Sequence, residues 1–190
     1  GVHWLGDMSA RKASESTKEL RLAVDAYRDA TDLRAIVTST SPASIATLQA
    51  KAEERLTKVA SALDEPNAGR LAKLYSADLA RRQGKNAEAE QLYRSYVDSA
   101  KPDDVVAFIA REGLGYALEG QKKFDDAARE FEELATSAPF FKDVALKHKG
   151  RVLEEKGDAA GALAAYRAIA AIDPPSSLKS FAESKIQSLE

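Results

Sequence analysis

Residues 108–139 read FIAREGLGYALEGQKKFDDAAREFEELATSAP. Leu114 and Leu118 stand four apart, and further on Phe124, Ala127, Phe131 and Leu134 recur at intervals of three and four. Those intervals place each set on one face of an α-helix. The glycine-containing break between them turns the two helices into a hairpin. Each stripe covers a single face, so the hairpin keeps an apolar flank that a neighbouring unit has to cover.

Outward from this hairpin the same pattern repeats. Small residues Ala77, Gly115 and Gly150 fall in three first helices, and Ala89, Ala127 and Ala162 near the start of three second helices. Tyr93, Phe131 and Tyr166 follow those alanines by four, so both sets recur at spacings of 38 and then 35 residues, and Pro102, Pro139 and Pro174 close the units. A small residue at a helix crossing lets the backbones approach, and an aromatic fills the wedge beside it. Phe140 and Phe141 open the last unit side by side. Adjacent helical positions cannot face the same way, so one is expected to pack and the other to stay partly exposed.

Ahead of the repeats, residues 14–37 predict a long helix of roughly 36 Å carrying Leu20, Val24, Tyr27, Leu33 and Ile36. Ser41 then offers a cap and Pro42 a first-turn residue for a second helix bearing Ala52, Leu56, Val59 and Leu63. Residues 64–69, DEPNAG, read as a closing turn. The domain organisation expected is a flexible linker over 1–12, a long hairpin over 13–69, three repeats over 70–175 and a capping helix over 176–190 bearing Leu178, Phe181, Ile186 and Leu189.

Composition agrees with an all-α chain: 44% of the 190 residues are apolar, with few aromatics and six prolines. Lysine plus arginine number 28 against 30 acidic residues, a formal charge of -2 that calls for no nucleic acid or anionic membrane. The absence of cysteine removes disulfides and thiolate metal sites. Residues 1–8, GVHWLGDM, are apolar, and Trp4 reads either as an interfacial anchor beside a membrane segment or as part of a plain tail.

Chemistry finds little footing. His3 and His148 are the only histidines, without metal-ligand spacing. The pairs Asp103–Asp104 and Asp125–Asp126 suit helix starts, where each carboxylate is worth about 0.3 to 1 kcal/mol against the helix dipole. Residues 115–122, GYALEGQK, mimic a phosphate loop but lack its hydroxyl residue and fall within a helix. No GxSxG elbow occurs. No catalytic residue, metal site or cofactor is therefore expected. From 104 to 139 eight acidic residues face four basic ones; on a second helix such a run is normally a solvated face.

Leu114, Gly115, Phe124, Ala127, Phe131 and Pro139 resemble the tetratricopeptide repeat, a helix-turn-helix unit of about 34 residues that stacks into a superhelical solenoid. The resemblance covers roughly residues 70–175. It departs in lacking the early tryptophan and in placing Gly120 ahead of the usual turn glycine, whereas Gly84 and Gly157 sit where that glycine belongs. Stacked hairpins of this kind present their first helices on a concave surface. The resemblance thus implies a groove lined by Tyr75, Asp78 and Arg82, by Glu112, Tyr116 and Glu119, and by Lys147, His148, Arg151 and Glu155. Lys147 and Arg151, four apart, suit a carboxylate or acidic peptide segment.

The layout also resembles the periplasmic part of bacterial ancillary translocon subunits, and more distantly the outer-membrane-assembly lipoproteins. That implies a protein or peptide partner and a role in secretion, folding or envelope assembly. It also implies an inner-membrane anchor through a missing N-terminal segment and a periplasmic location. A cytoplasmic adaptor, or a subunit that self-assembles through its first helix, is the alternative.

Overall fold

The computed structural model describes residues 2–32, 42–61 and 66–190. Leu33, Ile36, Ser41, Leu63 and Asp64 lie outside the described residues, as do the side chains of His3 and Trp4. Every regular element among the described residues is helical: α1 (Val2–Thr31), α2 (Pro42–Ala60), α3 (Pro66–Arg82), α4 (Asn86–Ser99), α5 (Ala107–Gly120), α6 (Phe124–Ser137), a 3-10 turn (Pro139–Phe141), α7 (Lys142–Lys156), α8 (Ala159–Ala170) and α9 (Lys179–Leu189). They form two compact units, Gly1–Leu92 and Tyr93–Glu190.

In the first unit α1, α2 and α3 pack against one another. The helix starts at Val2, so residues 2–12 are helical where a linker was expected; Leu5, Met8, Ala10, Arg11 and Lys12 are good helix formers and no proline interrupts them. The seam on α1 is built from Ala23, Ala26 and Ala30, which meet Ala52, Leu56 and Val59 of α2 and Ala72 and Leu79 of α3. Alanine lets these backbones come close, and Leu20, Tyr27 and Tyr75 pack around the margin. Val24, expected on the packing face, is only half-buried. The expected turn at 64–69 ends sooner than its composition suggests, because Pro66 begins α3 with the backbone angle that a first helical turn needs.

In the second unit α5 packs on α6, α6 on α7, α7 on α8 and α8 on α9. Leu114, Leu118, Ala127, Phe131, Leu134, Ala162 and Tyr166 are all buried, as the stripes require. A Cβ placed on Gly115 would fall 2.5 Å from Phe131 Cζ, and one on Gly150 would fall 2.6 Å from Tyr166 Cε1. The rings therefore lie directly on the glycine backbones of the partner helices. Tyr93 does the same to Gly113, a glycine that the repeat alignment passes over in favour of Gly115.

The turns that join helices within the hairpins share one hydrogen-bond pattern. Lys85 N donates to Ala80 O, Lys123 N to Leu118 O and Asp158 N to Leu153 O, at 2.9, 3.0 and 2.8 Å. Each closes a C-terminal cap whose penultimate residue is left-handed: Gly84, Lys122 and Gly157. Asp158 then accepts from Gly161 N at 2.9 Å and starts α8. The aspartate pairs behave differently from each other. Asp125 and Asp126 lie in the first turn of α6, as expected. Asp103 and Asp104 instead precede α5, where Asp104 accepts from Val106 N at 2.9 Å and from the Tyr96 hydroxyl at 3.2 Å. The last helix, α9, covers Tyr166 with Phe181, whose rings meet edge-on at 5.9 Å.

Candidate functional site

Spacing alone puts Glu112, Tyr116 and Glu119 along one side of α5, and Lys147, His148, Arg151 and Glu155 along one side of α7. In the second unit these two rows meet. Buried Phe131 is the floor: its ring lies 5.1 Å from that of His148 and 5.8 Å from that of Tyr116, which in turn stand 5.0 Å apart. The floor reaches this depth because Gly115 yields it room.

Polar groups are joined above it. Arg151 Nη1 lies 3.0 Å from His148 Nδ1. A guanidinium only donates, so Nδ1 accepts and the imidazole proton sits on Nε2. Nε2 in turn is 3.0 Å from Glu112 Oε1 and 3.0 Å from the Tyr116 hydroxyl, which donates to Glu112 at 3.3 Å. Arg151 then holds Glu119 with two parallel bonds, Nε to Oε1 at 3.0 Å and Nη2 to Oε2 at 2.5 Å. It also reaches Glu155 at 4.0 Å and lies over the Tyr116 ring at 5.5 Å. A chain of bonds thus ties the first helices of two successive hairpins together.

The electrostatics follow from this packing. Burial, with the neighbouring Glu112 charge, pushes the Tyr116 hydroxyl above its ordinary value. For Arg151 burial works against the charge, but the bonds and charge of Glu119 outweigh it and leave the guanidinium more firmly protonated than usual. Glu155 is pushed up by hydrogen bonding with Glu119, by burial and by the Glu119 charge, with Arg151 opposing. The carboxylate grip expected of Lys147 and Arg151 is accordingly engaged from within. Glu119 fills the fork of Arg151, and Lys147 lies over the Phe181 ring at 4.8 Å. With three carboxylates against two cations, the face is slightly acidic.

Tyr75, Asp78 and Arg82 belong to the first unit and meet there. Asp78 accepts from the Tyr27 hydroxyl, from Arg81 Nη2 at 2.8 Å and from Arg82 Nε at 2.5 Å, while the Tyr27 and Tyr75 rings lie edge-on at 4.9 Å. Burial raises the Asp78 carboxyl, but those three donors outweigh it and hold it below its ordinary value. Burial and the bond to Asp78 push Tyr27 up to about 12.

Periodicity marks neither Tyr27 nor Arg81 as a member of this cluster: the Tyr27 ring lies in the core stripe, and nothing in the spacing signals the hydroxyl's reach across to α3. Nor does it mark Glu154, which accepts from Tyr166 Oη at 2.5 Å and from Lys185 at 3.0 Å on α9. Among the described residues no three histidine or carboxylate side chains are arranged to hold a metal ion. No helix among them is long and apolar enough to cross a membrane.

The family model for the tetratricopeptide repeat-like domain matches residues 8–190. No curated protein and no solved structure matches the chain.

Proposed function

The chain belongs to the tetratricopeptide repeat-like domain family, and we propose that it is a non-catalytic scaffold that holds a protein or peptide partner on the face shared by α5 and α7. The observation that carries this reading is the Glu112–His148–Arg151–Glu119 chain. It spends its polar groups on fixing two first helices in register rather than aiming them at a reacting atom. A scaffold needs such a face to be rigid before the partner arrives, because ordering side chains on binding costs affinity. Glu155 and Lys147 stand at its margin, where a partner meets them first.

Site-specific photocrosslinking in the native cell tests this. A benzoylphenylalanine at Glu155 should give discrete adducts with a partner protein, and the same probe at Glu133 on α6 should give none. Adducts from Glu133 alone would remove the α5–α7 face from the reading.

The layout resemblance to ancillary translocon subunits supports a finer placement. The domain faces the bacterial periplasm, tethered to the inner membrane, and serves secretion, folding or envelope assembly. Protease added to spheroplasts should then digest the native gene product. Digestion only after lysis would assign it to the cytoplasm.

A further inference from the structure

Three large apolar side chains stand out as exposed among the described residues: Val105 at 82%, Phe140 at 73% and Ile109 at 46%. Val105 and Phe140 line one open cleft of about 300 Å³ in the second unit, where the chain passes from α4 to α5 and α6 gives way to the 3-10 turn. Ile109 lies in the first turn of α5, outside the lining of that cleft. Scattered exposed apolar residues need no explanation, but the two most exposed of them lining one cleft do.

The surface is also preformed. Phe108 lines the cleft and receives Phe140 edge-on at 5.1 Å and Phe141 at 5.4 Å, so the exposed ring of Phe140 is held by its neighbours. Such a held aromatic binds without paying to be ordered, which is the property of an interface anchor.

The charged groups of the cleft decide what fits. Asp104 already accepts from Tyr96 and Val106, and Arg111 Nη1 is bound to Glu130 at 2.8 Å. Lys101 is exposed at the cleft wall, and among the described residues no carboxylate or hydrogen-bonding group engages its ammonium. Lys142, next to Phe141, is exposed and equally unengaged. The arrangement is a cleft of mixed lining that presents two exposed apolar side chains, with open cations beside it.

We propose that this cleft docks a linear peptide segment of another protein in which a bulky apolar side chain is flanked by acidic residues. The apolar side chain enters between Val105 and Phe140, and a carboxylate reaches Lys101. This is a second surface, separate from the α5–α7 face, and it stands whether or not that face binds.

The probe is a fluorescein-labelled peptide of leucine and phenylalanine interspersed with aspartate. One control replaces aspartate by lysine and another replaces the apolar residues by serine. Fluorescence anisotropy with the full chain should show saturable binding of the first peptide alone. Phe140→Ser and Lys101→Glu should each weaken it by at least about tenfold. Both positions are exposed, so their melting temperatures should match the parent, and Glu155→Lys should leave the affinity unchanged. No saturable binding, or binding indifferent to Phe140→Ser, overturns the proposal. So does a concentration-dependent mass in sedimentation that Phe140→Ser abolishes, because the occupant would then be a second copy of this chain.

Discussion

Lys122 adopts φ 59°, in the left-handed region that glycine takes at Gly84 (77°) and Gly157 (88°) in the corresponding turns. A Cβ in that region strains against its own backbone, at a cost of roughly 1 kcal/mol. The turn closes regardless, because the Lys123 N to Leu118 O bond satisfies a helix-end carbonyl as it does in the other two hairpins. Lys122→Gly should therefore raise stability by about 0.5 to 1 kcal/mol. Gly157→Ala, with nothing within 4 Å to clash with, should lower it by a similar amount through backbone strain alone. Urea denaturation of both variants checks the pair, and equal effects of one sign would refute the account. Gly120, which the sequence suggests as a turn residue, is simply the last residue of α5.

Between elements, the decisive contact is a ring laid on a glycine. Phe131 on α6 and Tyr166 on α8 each cover the glycine of the helix they fold back on, and both rings are fully buried. Gly115→Ala would press a methyl onto the Phe131 ring, and a packed interior has no slack to receive it. The expected loss is about 1 to 3 kcal/mol. Combining it with Phe131→Leu, which shortens the obstructing side chain, should cost less than the sum of the two single changes. Strict additivity in thermal denaturation would mean that the ring and the glycine do not constrain one another. The same close crossing brings Tyr116 and His148 onto the Phe131 ring, so the packing of α5 on α6 sets the geometry of the candidate face.

At the scale of the whole molecule, stability should form a dome in pH, with identifiable groups at each edge. Asp78 in the first unit is held below its ordinary value of 3.8, and Glu154 in the second below 4.5. A depressed carboxyl lends stability that is complete above its unfolded value and lost as pH falls through the folded one. Melting temperature should thus drop on acidification below about pH 4, and less steeply in Asp78→Asn. Tyr27 works at the other edge. Raised from 10.0 to about 12, it lends stability that is present below pH 10.0 and lost as pH rises toward about 12. Tyr27→Phe should flatten the alkaline fall, and an unchanged alkaline limb would refute the assignment. By itself the sequence determined the helical hairpins, their order, the aromatic and small residues of the last two hairpins' crossings and the terminal helix. Those follow from periodicity and turn residues, which are local and repeat. It also placed Glu112, Tyr116, Glu119, His148, Arg151 and Glu155 on facing sides of two helices. Only the tertiary structure decided that these side chains bind one another, that Tyr27 joins Asp78, and that Val105 and Phe140 converge on one cleft. Such pairings depend on distances between residues far apart in the chain, and no periodicity encodes those distances.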